Sequence, residues 1–107
     1  MIPRVAALEG FDLETFSRRL GAQFTVELEE GPTVELVLTE AAEPEFADSE
    51  RAPGHRRAFS VVFLGPREPI LPQRTYSFSH DELGDFELFI VPIAQDDLGT
   101  QYEAVFG

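Results

Sequence analysis

Thr75–Pro92 reads TYSFSHDELGDFELFIVP. Tyr76, Phe78 and His80 alternate with Thr75, Ser77 and Ser79. After Asp-Glu-Leu-Gly, Phe86, Leu88 and Ile90 form a second apolar row, with Phe89 and Val91 expected to be partly covered. A period of two is the signature of half-buried strands, whose side chains point to opposite faces in turn. Asp and Gly suit the turn Asp81–Gly84. The stretch is therefore an antiparallel hairpin, and its turn sets a register that a one-residue slip would invert.

The same period runs outward in both directions. Phe24, Val26 and Leu28 alternate with Thr25, Glu27 and Glu29, and Val34, Leu36 and Leu38 follow the turn Glu30-Gly31-Pro32. These make a second hairpin with its glutamates facing solvent. Residues 58–64 place Phe59, Val61 and Phe63 on one face and Ser60, Val62 and Leu64 on the other. Two apolar faces predict a central strand covered on both sides, with the helix a candidate cover. Pro69 and Pro72 then exclude regular pairing, so the segment 67–73 reads as a crossover. After the turn AQDDLG, Tyr102, Ala104 and Phe106 share one side of a last strand.

One segment has another period. In GFDLETFSRRLG, Leu13, Phe16 and Leu20 share a helical face. Asp12 is a capping residue, Phe11 a staple, and Gly21 suits the position past the end. The spacing predicts a helix over 12–20. Glu14 in its first turn and Arg18 and Arg19 in its last complement the helix dipole. One helix and six strands without βαβ alternation give a mainly β fold. We expect a small curved antiparallel six-stranded barrel or sandwich, with one N-terminal helix over an open end or face. The 107 residues make a single domain, 1–107.

Composition removes several functions. The net charge is −12, and all eight basic residues are Arg. Such a surface repels phosphate backbones and anionic lipid, so neither nucleic acid nor membrane is an expected partner. There is no cysteine, hence no thiolate metal site and no cysteine nucleophile. The N-terminal MIPRVAALEGFDLE lacks the apolar core of a secretion signal, and the expected compartment is the cytoplasm. The serines lie in no G-x-S-x-G elbow, and no phosphate-binding glycine loop is present. Asp96 and Asp97 lack the spacing of a calcium loop. Neither an enzyme nor a cofactor is expected.

The cluster His80, Asp81, Glu82 and Asp85 holds metal-ligand and acid–base residue types. Neighbouring strand positions diverge, so the cluster reads as a hairpin tip. The long loop 41–57 is acidic first and basic last. Loops of this length in small domains are often functional. Its Arg51, His55, Arg56 and Arg57 could meet an anionic group of a partner or the loop's own acids. Phe46 and Phe89 do not fit the core pattern cleanly: packing under the long loop is their first reading, and an exposed Phe at a protein contact the second. These six residues are the candidate contact set for another protein. Self-association is compatible with the sequence.

Phe16–Gly21 (F-x-x-x-L-G), Phe59–Pro66 (F-x-x-x-F-x-G-P), Leu71–Tyr76 (L-P-Q-x-T-Y), His80–Gly84 (H-x-E-L-G), Glu87–Pro92 (E-L-F-I-V-P) and Tyr102–Phe106 (Y-E-A-V-F) are specific as a set. Together they resemble a small bacterial family of unknown function whose genes sit beside phage-tail-collar-like genes. The resemblance implies an accessory or assembly role and carries no catalytic residues. The expected function is a non-enzymatic protein-interaction or assembly domain, in a phage-tail-like or surface-appendage system. A small-ligand-binding β-barrel is the second reading, which an empty apolar interior would favour. A hydrolase or metal enzyme is the third, which His80 beside two carboxylates would favour.

Overall fold

A computed structural model describes residues 11–29, 31–43 and 59–106. The helix α1 (Leu13–Ser17) precedes six strands: β1 (Gln23–Glu27), β2 (Thr33–Ala42), β3 (Phe59–Gly65), β4 (Arg74–His80), β5 (Gly84–Asp96) and β6 (Gly99–Phe106). They close into a barrel in the order β1-β2-β3-β6-β5-β4, with every pair antiparallel. After β3 the chain crosses to place β4 beside β1, which is a Greek-key return. The alternative of an open sandwich is thereby excluded.

The alternating apolar rows all face inward. Phe24, Val26, Val34, Leu36, Leu38, Phe59, Val61, Phe63, Phe78, Phe86, Leu88, Ile90, Tyr102, Ala104 and Phe106 are buried. Rings from different strands meet across the axis. Phe24 of β1 lies 5.3 Å from Phe63 of β3 and 6.4 Å from Phe86 of β5, centroid to centroid. Phe78 of β4 lies 5.4 Å from Phe63 and 5.6 Å from Phe86. A six-stranded barrel is narrow, and these rings fill it.

Helix α1 covers one end. Asp12 accepts the Thr15 amide at 3.0 Å, and the Thr15 hydroxyl accepts the Asp12 amide at 3.2 Å, closing a reciprocal cap. Phe11, the residue before the cap, meets Phe16 edge-on at 5.6 Å, as a hydrophobic staple does. Phe16 is fully buried and meets Phe24, Phe59 and Phe106 within the barrel mouth. The helix is shorter than its periodicity predicts. It stops at Ser17 because Gly21 and Ala22 are claimed by the sheet: the Gly21 amide donates to the Leu38 carbonyl, and the Leu38 amide donates to the Ala22 carbonyl. The chain must turn before reaching them, and Leu20 is left 52% exposed. Arg19 still serves the helix end, donating to the Thr15 carbonyl at 2.6 Å.

The crossover between β3 and β4 closes the opposite end. Leu71 is buried there, and its amide donates to the buried Tyr102 hydroxyl at 2.8 Å. The Arg67 carbonyl anchors the crossover's start by accepting from the Gln95 side-chain amide at 2.7 Å and the Thr100 hydroxyl at 3.2 Å. The outer residues of β3, Ser60, Val62 and Leu64, are half-buried. The helix does not supply their cover, since it packs through Phe16 at the barrel end. Strand β5 is long enough to serve two neighbours in turn. Gly84–Ile90 pairs with β4, and Val91–Asp96 pairs with β6, with a bulge between Pro92 and Ala94. A bulge is where a proline is tolerated in a sheet.

Candidate functional site

The cluster at the β4–β5 turn is a structural clasp. The His80 Nδ1 accepts the amides of Glu82 at 3.0 Å and Leu83 at 3.2 Å, so it closes the turn from inside. An accepting Nδ1 requires that the neutral ring carry its proton on Nε2. The ring packs on Phe24, with centroids 4.6 Å apart. Glu82 points away from His80 to Arg19 of the α1 turn, at 3.0 Å. Among the described residues, no three histidine or acidic side chains are grouped to hold a metal ion. The tip thus ties the β4–β5 hairpin to the helix.

Of the six candidate contact residues, Phe89 lies within the described part of the chain. It faces outward on β5, opposite Thr75 of β4, and is 49% exposed. Phe46, Arg51, His55, Arg56 and Arg57 lie outside the described residues.

A groove that no sequence motif announces lies where β1 and β4 part. Its volume is about 640 Å³. One wall is Leu28 and Pro32 of the β1–β2 turn, the other is the crossover Pro69–Pro72, and the floor is the start of β4. The groove exists because β1 ends early. Glu27 is its last residue, paired with Ser77. Beyond it the Leu28 amide turns to the Pro32 carbonyl at 2.9 Å, and the Gly31 amide returns to Leu28 at 3.0 Å. Arg74, Thr75 and Tyr76 therefore have ladder partners in β5, and no strand among the described residues pairs with them on the β1 side.

Charge and ring chemistry are ordered along this floor. Arg74 pairs with Glu29 at 2.7 Å and lies over the Tyr76 ring, 5.5 Å from its centroid. The Tyr76 hydroxyl donates to the Pro72 carbonyl at 2.7 Å, pinning the crossover to the strand. Burial pushes the Tyr76 phenol above its ordinary range, against the opposing pull of Arg74. The phenol is therefore a neutral donor through the physiological range. Ile70, on the crossover, is left 48% exposed at the groove.

With this geometry established, the family described as "Domain of unknown function (DUF6916)" matches residues 11–106. The chain belongs to that family. The match runs from the staple residue Phe11 to the end of β6, so the DUF6916 domain includes the helix, the whole barrel and the groove. It agrees with the resemblance to a family of unknown function. No curated protein and no solved structure matches the DUF6916 chain. Among its described residues, no helix is long and apolar enough to cross a membrane.

Proposed function

We propose that this DUF6916 domain is a non-enzymatic protein-interaction or assembly domain that works through its outer surface. The observation that carries this reading is the groove between β1 and β4: exposed apolar side chains and carboxylates around a stretch of strand paired on one side. The filled interior supports it from the other direction. A ligand-binding barrel needs space where Phe24, Phe63, Phe78 and Phe86 meet. At the β4–β5 turn the His80 Nδ1 is engaged by the Glu82 and Leu83 amides, which is the work of a turn clasp. A bacterial setting, and an accessory place in a phage-tail-like or surface-appendage system, form the finer part of the proposal and rest on the sequence resemblance.

Site-specific photo-crosslinking in the native host tests it. A benzophenone side chain is placed in turn at Ile70 in the groove, at Phe89 on the outer sheet, and at Asp97 in the exposed β5–β6 turn. A discrete adduct at Ile70 or Phe89, absent at Asp97, is the expected result. Either no adduct anywhere or the same adducts at all three positions would remove the reading.

A further inference from the structure

Resting on the interaction reading just given, we infer that the groove takes an extended, apolar segment of a partner protein bearing Arg or Lys, added as a short strand to the open edge of β4 at Arg74–Tyr76. In a strand, successive residues direct their N–H and C=O groups to alternate sides. Arg74–Tyr76 is laddered to β5 on one side, and β1 has already turned away on the other. A closed barrel leaves few such edges. Three residues span roughly 10 Å, enough for a short ladder. Recognition by strand addition takes affinity from the main chain and selectivity from the pockets that receive alternate side chains.

The walls name those side chains. Leu28, Pro32 and Ile70 offer apolar contact. Glu27 and Glu29 stand at the rim, and Glu27 makes no ion pair with a described residue. Arg74, the one cation among the groove's described lining residues, is already engaged by Glu29 and the Tyr76 ring. A net charge of −12 on the chain repels an acidic segment, and equally a second copy of itself. Apolar residues alternating with cations fit both walls at once.

The probe is acetyl-Arg-Val-Arg-Val-Arg-amide, titrated into the full chain and followed residue by residue through the backbone amide NMR signals. Its acidic counterpart, acetyl-Glu-Val-Glu-Val-Glu-amide, is the control. Saturable shifts centred on Leu28, Ile70, Thr75 and Tyr76 are expected with the basic peptide and not with the acidic one. Ile70→Ser, a charge-neutral change at a half-exposed position that leaves the core intact, weakens binding by about tenfold. Three results overturn the inference. These are shifts spread evenly over the outward carboxylates of β1, β2 and β5, equal response to the acidic peptide, and no loss with Ile70→Ser. If the basic peptide fails while Phe89 still crosslinks a partner, the occupant is wrong and the interaction reading stands.

Discussion

Gly99→Ala destabilises the barrel by more than backbone strain alone. Gly99 opens β6 with φ +145°, a conformation that side chains rarely adopt. Residues forced into sparsely populated backbone regions cost about 1–3 kcal/mol each. The larger cost is steric. A Cβ on Gly99 would be driven into the carbonyl oxygen of Gly65 at the end of β3, and backbone there cannot move without disturbing its neighbours. Gly65 is itself confined, since a Cβ on it would meet Leu36 Cδ2 at 2.5 Å. Two strand ends are thus pressed together with no room for a methyl between them. Gly21→Ala is the matched control. It has φ +89° but open space around it, so it bears strain alone, about 1–2 kcal/mol. Urea denaturation of the two variants should show Gly99→Ala losing clearly more stability than Gly21→Ala. Equal losses would mean that the β3–β6 approach is looser than described.

Phe16→Ala produces the second large effect. Phe16 is fully buried and touches Phe11, Phe24, Phe59 and Phe106. Removing such a ring costs about 3–5 kcal/mol, part transfer and part cavity. Small domains hold about 5–15 kcal/mol in total, so the variant sits near its unfolding limit. The loss should appear as a lower urea midpoint. An unchanged midpoint would show that α1 rests on the barrel without sealing it.

Most of the barrel was legible because its inward rows follow strand parity without interruption. Tyr76-Phe78 and Phe86-Leu88-Ile90 predict β4 and β5, and each of those residues is buried. The cap at Asp12 and the staple at Phe11 were legible too, being local chemistry within five residues. The end of α1 was not. The helical period continues to Leu20, but Leu38, eighteen residues on, takes the backbone of Gly21 and Ala22. A distant strand overrides a local preference there.

The groove was illegible for the same reason. Its described walls come from residues 27–29, Pro32 and the segment 69–77, and the pair Glu29–Arg74 spans forty-five positions. The signal that could have pointed to it is Ile70, an apolar side chain held between Pro69 and Pro72, where no strand can bury it. The cluster at His80–Asp85 stands out in the sequence because its polar residues lie close together along the chain. In the fold, His80 turns inward to the turn's amides while Glu82 turns outward to Arg19.

Among the described residues, β4 has no strand partner on the β1 side at Arg74–Tyr76. Amide hydrogen exchange of the free domain measures this directly, because one-sided pairing protects alternate amides. An alternation is expected across Arg74, Thr75 and Tyr76, with fast exchange wherever the N–H points into the groove. Continuous protection is expected across Ser77–Ser79, where β1 pairs on the other side. Uniformly slow exchange across Arg74–Tyr76 would contradict the open edge, since that edge would already be occupied within the domain.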